Sequence, residues 1–300
     1  MKNLPSLVLL ICILAVTSCK NQTREKDTFT PVAQTDKATS TVTDVKTEKE
    51  EIKYGLLTPA EVCEIFNRLE VSWSRSFLNP VSNSDLYLNN SQAAIATGIY
   101  GVDFGYLKMF GTGQDLLDYL NTIRKMSDKL GIPDNLIVDP LRKIENDISD
   151  PDTITKLMKK VYSDIVDHLK QEDNQSTAAL MMMGGWVEAM YLATQLAYNP
   201  LNPDEEVVRR IAGQKYTLKS LLSFMKNYYD DPVVAEYTRK LKFLNNYFDT
   251  FEIIYEKGDL EIDTALQVIR SSGSKPTITT ETLSKISDYI SKLREELVSP

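Results

Sequence analysis

Histidine is almost absent from this 300-residue chain, because His168 is the only one. Sites that need several imidazoles, such as multi-histidine zinc sites and facial iron triads, are therefore excluded. Glycine and proline are also scarce, with twelve of each, and this disfavours an all-β sandwich with many tight turns. There is no G-x-S-x-G, H-E-x-x-H, Walker A or dinucleotide-binding motif. The sequence thus contains no established catalytic motif, and it predicts neither a metal nor a cofactor.

The composition is that of a globular protein with an acidic balance. Charged residues make up 25% and hydrophobic residues 42% of the chain, and the net charge is −8. A negative surface repels the phosphate backbone, so nucleic acid is not expected as a partner.

The N-terminus has the organisation of a secretory signal peptide over residues 1–18. Lys2 supplies the basic start, residues 7–16 are apolar, and small residues precede Cys19. Val16-Thr17-Ser18-Cys19 resembles the lipobox of bacterial lipoproteins. The resemblance implies cleavage before Cys19 by signal peptidase II and a diacylglycerol on its sulfur. The alternative is an ordinary signal peptide that is followed by a cysteine by chance.

Residues 19–53 are predicted to be a lipidated N-terminus followed by a flexible tether. Almost no apolar residue occurs there, so the segment cannot bury enough surface to offset the entropy of ordering it. As a flexible coil it spans roughly 30–35 Å. Lys20, rather than aspartate, follows the cysteine. By analogy with lipoprotein sorting in Gram-negative bacteria, this favours the outer membrane of such a cell, reached through the lipid anchor.

The remainder, residues 54–300, is predicted to be a single all-α domain, a multi-helix bundle of about ten helices. Apolar residues recur at intervals of three and four, and no convincing strand is found. Helix starts are marked by a capping residue and proline at Asn202-Pro203 and Asp231-Pro232, and by Thr279 or Thr280. The predicted helices cover 58–78, 91–110, 113–130, 138–148, 152–172, 176–198, 204–212, 215–229, 232–256, 259–271 and 279–298.

Two of these helices are apolar on all sides, and they are predicted to form the centre of the core. The stretch Ser176–Asn199 carries one acid, Glu188, and the stretch Ala93–Phe110 carries Asp103 among its apolar residues. A helix of this kind is either a membrane span or a core helix. An acid, two adjacent glycines and Gln195 in the longer stretch favour the core. Glycines on both helices predict a close helix–helix approach.

The two apolar helices also have similar sequels, which suggests an internal duplication. Each has glycine, then an acid, then tyrosine three residues after the acid: Asp103 with Tyr106, and Glu188 with Tyr191. The repeat halves would be residues 54–150 and 151–300. The alternative is that buried helices of similar composition resemble one another.

Asp103 and Glu188 are the centre of the predicted site. Facing carboxylates raise one pKa, and they can hold a ligand or act as an acid–base pair. The alternative is a buried polar network that fixes helix register. Tyr106 and Tyr191 are candidate hydroxyl donors to the acids, and nearby lysines or backbone amides are the other candidates. The residues predicted to converge, in a ligand pocket or in such a network, are Tyr100, Asp103, Tyr106, Trp186, Glu188 and Tyr191.

Two functions are compatible with this pattern. The favoured one is a non-enzymatic binding or scaffold module, displayed at a membrane and contacting a protein or small molecule through its helices. The alternative is a helical hydrolase or metal-assisted enzyme built on Asp103 and Glu188. No catalytic residue is assigned.

Overall fold

The fold is that of a computed structural model, which describes residues 74–110, 113–147, 151–255, 260–263, 268–271 and 274–300. The predicted signal peptide, Cys19, the tether and the start of the first predicted helix lie outside these residues. Both apolar helices and all six residues of the predicted site lie within them.

The described residues contain eight α-helices, numbered in chain order. They are α1 (Asn90–Phe110), α2 (Gly113–Lys129), α3 (Val138–Asp147), α4 (Pro151–Gln171), α5 (Gln175–Leu192), α6 (Glu205–Lys226), α7 (Pro232–Phe248) and α8 (Thr280–Val298). A π-helical turn, Ala193–Ala197, continues α5. The predicted all-α, multi-helix fold is confirmed.

Capping residues begin three of these helices. Asp231 accepts hydrogen bonds from two backbone amides of α7, and Pro232 is its first residue, as predicted. Thr279 caps α8, as predicted. The predicted cap at Asn202 is wrong by two residues, because Asp204 is the residue whose side chain accepts the first free amides of α6. An aspartate placed there satisfies donors that the helix itself leaves unpaired.

The predicted break between 204–212 and 215–229 is wrong, because α6 is continuous through Gly213. Glycine inside a helix costs about 1 kcal/mol relative to alanine. Buried residues on both sides of Gly213, among them Ile211 and Leu218, pack against the core. Burying one large aliphatic side chain contributes about 1.5–3 kcal/mol, so tertiary packing outweighs the local preference.

The predicted helix over 259–271 and the last part of the one over 232–256 are also wrong. Strand β1 (Ile253–Ile254) pairs antiparallel with β4 (Lys275–Pro276), and β2 (Leu260–Asp263) pairs antiparallel with β3 (Val268–Ser271). The strands are rich in Ile and Val, which favour extended backbone. Helix α7 ends at Phe248, since the backbone just beyond it is bound elsewhere: Lys215 Nζ donates to the carbonyl of Phe251.

The described end of the predicted helix 58–78 is not α-helical either. It contains a 3₁₀ turn at Arg75–Phe77, and a second one follows at Val81–Asp85. Pro80 lies between the two turns. Proline disfavours helical backbone in the residue before it and cannot donate a helical hydrogen bond itself. An α-helix therefore cannot run through this point.

Helices α1 and α5 pack against each other at the centre of the bundle. Helix α2 packs on α1, helices α4, α6 and α8 pack on α5, and α7 packs against α6 and α8. Every residue from 93 to 107 of α1 is buried, as are residues 183–190 of α5. Both apolar helices are therefore core helices, as predicted. Among the described helices, none is long and apolar enough to cross a membrane.

Glycines allow the backbones of α1 and α5 to touch. A Cβ atom on Gly98 would lie 2.0 Å from the carbonyl oxygen of Met181, and one on Gly184 would lie 2.3 Å from that of Ile95. Both distances are far shorter than van der Waals contact, and the atom approached is backbone in each case. Only glycine fits at these two positions, and the crossing brings Asp103 of α1 next to Glu188 of α5.

Candidate functional site

A buried ion pair joins Glu188 of α5 to Arg294 of α8. Arg294 Nε donates to Glu188 Oε2 over 3.0 Å and Nη2 donates to Oε1 over 3.1 Å, so the pair is bidentate. The Glu188 side chain is 0% exposed and that of Arg294 is 11% exposed. The guanidinium carbon also lies 4.6 Å from the ring centroid of Tyr191. Two charge-assisted hydrogen bonds and a cation–π contact offset the desolvation of both charges.

The Glu188 carboxylate determines the protonation of its partner. Burial lowers the pKa of Arg294, but the charge and hydrogen bonds of Glu188 more than offset this effect and raise that pKa above its ordinary value. The guanidinium therefore stays charged, and its positive charge compensates the negative charge of the Glu188 carboxylate.

Asp103 of α1 is the second buried acid, and it is 0% exposed. Its Oδ2 accepts a hydrogen bond of 3.0 Å from the backbone amide of Asn79. Its carboxyl group also lies within hydrogen-bonding distance of Glu188. Within the described part of the chain, no donor binds Asp103 Oδ1. Two ionised carboxylates only accept, so their contact is favourable when one of them carries a proton.

The shared proton belongs on Asp103. Burial raises the pKa of Asp103 well above its ordinary value, and the negative charge of Glu188 raises it further, whereas Arg294 and the Asn79 amide oppose the shift. Glu188 already accepts two hydrogen bonds from Arg294. A protonated Asp103 can donate to Glu188, and the whole cluster then carries no net charge.

Residues Ser74–Asn89, here named the strap, cover this cluster. Asn79 is the centre of the strap and is 0% exposed. Its Nδ2 donates to the hydroxyl of Tyr87 over 2.8 Å, and its Oδ1 accepts from Asn83 Nδ2 over 2.9 Å. Asn83 also donates to the carbonyl of Val298 near the end of α8, over 3.1 Å. The strap is thereby tied to the last turn of the bundle.

Two buried tyrosines of the helical body donate hydrogen bonds to backbone carbonyls of the strap. Tyr119 of α2 donates to the carbonyl of Asn79 over 2.8 Å, and Tyr100 of α1 donates to that of Pro80 over 2.9 Å. The Tyr100 ring packs edge-on against those of Tyr119 and Tyr87, with centroids 5.8 and 6.3 Å apart. Burial raises the pKa of both Tyr100 and Tyr119, so their hydroxyls remain protonated donors.

The structure brings four of the six predicted site residues together. Glu188 and Tyr191 contact Arg294, and Asp103 neighbours Glu188. Tyr100 precedes Asp103 by three residues on α1, and the two side chains bind the adjacent strap residues Pro80 and Asn79. Tyr191 meets the arginine through its ring, so its observed role is a cation–π contact rather than the predicted hydroxyl donation to the acid.

The other two predicted residues bond to different elements. The Tyr106 hydroxyl accepts from the backbone amide of Ser74 in the strap, over 3.4 Å. Trp186 Nε1 donates to Thr217 Oγ1 of α6 over 3.2 Å. Tyr106 therefore contributes to strap binding, and Trp186 fixes α5 against α6 instead of facing the acids.

Sequence reasoning missed Arg294 and Asn79, the two partners that matter most to the acids. A signal for Arg294 was present: it follows Ile290 by four residues and precedes Leu297 by three, so an arginine occupies the apolar face of α8. Such a residue needs a buried acid as partner. No comparable signal marks Asn79, since its importance comes from backbone atoms that any residue carries.

Asp103→Asn is expected to stabilise the protein relative to the wild type progressively as pH rises above about 4. The unfolded chain loses the Asp103 proton near that pH, whereas the folded protein keeps it to higher pH because its pKa is raised. The folded state then binds more protons than the unfolded state, so the wild-type free energy of unfolding falls with rising pH. Asparagine retains both hydrogen bonds and has no proton to lose.

Urea unfolding of the two proteins at intervals from pH 4 to 8 measures this difference. Asp85→Asn is the control, because the hydrogen bond from Lys125 lowers the pKa of Asp85. Its stabilising contribution is lost only below about pH 4, so the difference between wild type and Asp85→Asn should stay nearly constant across this window. A constant difference between wild type and Asp103→Asn across the window would contradict a raised Asp103 pKa.

No group of three His, Cys, Asp or Glu side chains within the described ranges is placed to hold a metal ion. His168 Nε2 lies 3.2 Å from the carbonyl oxygen of Gly131, and Asp164 pairs with Lys160 over 2.6 Å.

Comparisons with known proteins give no relative: no protein-family model matches the chain, and neither a curated protein nor a solved structure is significantly similar to it.

Proposed function

We propose that this chain is a cell-envelope lipoprotein whose helical body is a binding or scaffold module. Cys19 would carry the lipid, and residues 19–53 would hold the body away from an outer membrane of a Gram-negative bacterium. The support for the anchor is the sequence Val16-Thr17-Ser18-Cys19 behind an apolar stretch. Acyl chains contribute about 0.8 kcal/mol per buried methylene, so two or more of them anchor a protein stably.

One observation carries the preference for a binding module over an enzyme: both candidate acids are committed to internal contacts. Glu188 is fully buried and bidentate to Arg294, and Asp103 is fully buried and binds the backbone of the strap. A general acid or nucleophile must contact its substrate. These carboxyl groups contact the protein's own residues, and this is the arrangement of a structural network.

The hydrolase alternative rests on the raised pKa of Asp103 beside Glu188, which is the pattern of an acid–base pair. Asp103→Asn separates the two functions, since it preserves the hydrogen bonds while removing proton transfer. A panel of ester, amide and glycoside substrates would show turnover by the wild type that this variant lacks, if the alternative held. Binding of a protein or small molecule by both forms alike supports the module.

The lipid anchor is tested by substituting Cys19. Cells expressing the wild type with an epitope tag and fed radiolabelled palmitate are expected to incorporate label into the protein, whereas Cys19→Ala removes all of it. The physical reason is that only the thiolate sulfur of the lipobox cysteine can form the thioether to diacylglycerol. Immunoprecipitation followed by gel autoradiography measures the incorporation.

Cys63→Ala and Cys12→Ala are matched controls, since these are the other two cysteines of the chain. Both are expected to retain full labelling, because Cys12 lies inside the predicted signal peptide and Cys63 beyond the tether. Label on Cys19→Ala, or loss of label in Cys63→Ala, would remove Cys19 as the anchor.

A further inference from the structure

The strap is bound through its backbone in the way that a peptide ligand is bound. Five consecutive contacts join side chains of the helical body to backbone atoms of residues 74–80. The contacts are Tyr106 Oη to the Ser74 amide, Arg294 Nη2 to the Phe77 carbonyl, Asp103 Oδ2 to the Asn79 amide, Tyr119 Oη to the Asn79 carbonyl and Tyr100 Oη to the Pro80 carbonyl. Backbone atoms are common to all sequences, so such contacts recognise an extended or turned chain by its shape.

One side chain of the strap enters the core, and a second fixes the shape of the strap. Leu78 is 2% exposed and belongs to the main hydrophobic core. Asn79 is 0% exposed, and its amide bonds to Tyr87 and Asn83 within the strap, which holds the strap in its turned shape. The neighbouring side chains of Arg75 and Ser76 are exposed. The site therefore reads Leu78 directly, and Pro80 keeps the backbone before it extended and precedes the 3₁₀ turn Val81–Asp85.

We infer that Tyr100, Asp103, Tyr106, Tyr119 and Arg294 form a polypeptide-binding groove that residues 74–80 occupy in cis. An equivalent segment of another polypeptide, carrying a hydrophobic residue followed by Asn-Pro, takes their place in trans. The inference deepens the proposed binding function by naming its ligand class, and it does not depend on the lipid anchor.

Replacing the strap with another segment is more favourable than leaving the groove empty. Without an occupant, Asp103 loses the Asn79 amide and Arg294 loses the Phe77 carbonyl, and both side chains are buried. Leaving a buried charged or polar group without a hydrogen-bond partner is unfavourable, because the group has lost its water and gained no replacement. The groove residues lie on α1, α2 and α8, which pack into the bundle through other residues. A new segment can therefore replace the strap without rearranging the helices.

The turn between the strap and α1 offers a place to cut the chain. Leu88 is 83% exposed there, so a recognition sequence for a site-specific protease can be inserted between Leu88 and Asn89. After cleavage, a fluorescein-labelled peptide of residues 74–88 is added, and fluorescence anisotropy follows its binding. We expect saturable binding at one peptide per body, with release by unlabelled peptide. A peptide with Leu78→Ala and Asn79→Ala is expected not to compete.

Groove variants identify where the peptide binds. Tyr119→Phe and Tyr100→Phe each remove one hydroxyl donor and keep the ring, and each is expected to weaken binding about fivefold, the loss of one hydrogen bond. Tyr198→Phe is the matched control, because the buried Tyr198 hydroxyl makes no hydrogen bond to the described residues. It is expected to leave binding unchanged within twofold. Binding that ignores the groove variants would overturn the inference.

The uncut chain provides a second measurement that does not require the cleaved protein to stay folded. Hydrogen exchange at the Asn79 amide is expected to accelerate in Tyr119→Phe and Tyr100→Phe, while amides of α5 and those of Tyr198→Phe keep wild-type rates. Added wild-type peptide is expected to bind an uncut chain carrying Leu78→Ala and Asn79→Ala more readily than the uncut wild type, because these substitutions weaken only the strap in cis. If exchange at Asn79 stays at the wild-type rate and no variant binds peptide, the groove is only a structural contact. That result leaves the lipid anchor of the proposed function untouched.

Discussion

Glu188→Gln is expected to destabilise the folded body by about 3–5 kcal/mol, the usual cost of removing one partner of a buried ion pair. The glutamine leaves the Arg294 guanidinium charged in an environment where its side chain is only 11% exposed. The substitution also replaces one carboxylate oxygen, which accepts hydrogen bonds, with an amide nitrogen, which donates them. The neighbouring groups, Arg294 and the protonated Asp103, are donors as well. Urea or thermal unfolding monitored by circular dichroism measures the loss.

Two further variants separate the lost charge from other effects. Glu281→Gln makes the same substitution at an exposed residue paired with Lys285, and it is expected to leave the unfolding midpoint unchanged, because exposed pairs contribute little. Adding Arg294→Met to Glu188→Gln removes the orphaned charge and is expected to recover part of the stability. A wild-type midpoint for Glu188→Gln alone would mean that Glu188 does not neutralise Arg294.

The two acids looked equivalent in the sequence, and the structure gives them opposite roles. Each is the acid of an apolar helix followed three residues later by tyrosine. Glu188 accepts two hydrogen bonds from Arg294, whereas Asp103 has only a backbone amide and the neighbouring carboxylate, and burial raises its pKa, so Asp103 holds the proton. The difference comes from Arg294 of α8, which is 106 positions further along the chain than Glu188. Patterns at spacings of three and four report only neighbours on one helix.

Helix positions were predictable because burial is periodic along the chain, and caps such as Asp231 and Thr279 are local signals. The sequence pattern predicts helix where the strands Ile253–Ile254 and Val268–Ser271 lie, because short apolar runs suit both structures. Their residues do favour strands. Pairing of β1 with β4 joins residues that lie more than twenty positions apart, which a local pattern cannot reveal.

The strap could not be predicted for a different reason. Its contacts run from side chains such as Tyr100 and Tyr119 to backbone carbonyls, and backbone groups leave no trace in a sequence. The predicted polar network contains the correct buried acids, but the predicted helix 58–78 includes the first five residues of the strap, and no structure is predicted for residues 79–89. Pro80 was the available sign that the helix could not continue.

The crossing of α1 and α5 bears on the proposed duplication of the two halves. Gly98 approaches the Met181 carbonyl, and Gly184 approaches that of Ile95. The two contacts are reciprocal, because 184 − 98 and 181 − 95 both equal 86. The acids are related by nearly the same offset, since 188 − 103 is 85. A pair of repeated helices that meet about a local two-fold axis would have these contacts, so duplication remains our proposal for the origin of the core.

Gly98→Ala is expected to destabilise the protein by about 3 kcal/mol, the upper end of the usual cost of overpacking a core. The new methyl would lie 2.0 Å from the Met181 carbonyl oxygen and 2.7 Å from the Gly185 amide nitrogen. Both are backbone atoms inside α5, so no side chain can rotate away and the two helices must separate. Separation also weakens the contact between Asp103 and Glu188. Thermal unfolding and the near-ultraviolet signal of the buried Trp186 report the two effects.

Gly213→Ala is the matched control, since a Cβ atom there meets nothing within 4 Å and the residue lies inside α6. This variant is expected to gain about 1 kcal/mol from the helix preference of alanine. The same substitution then acts in opposite directions at two helical glycines, and the only difference between them is the backbone that faces the new methyl. Equal stabilisation by Gly98→Ala and Gly213→Ala would mean that α1 and α5 do not meet at Gly98. The position of Asp103 beside Glu188 would then have to be reconsidered as well.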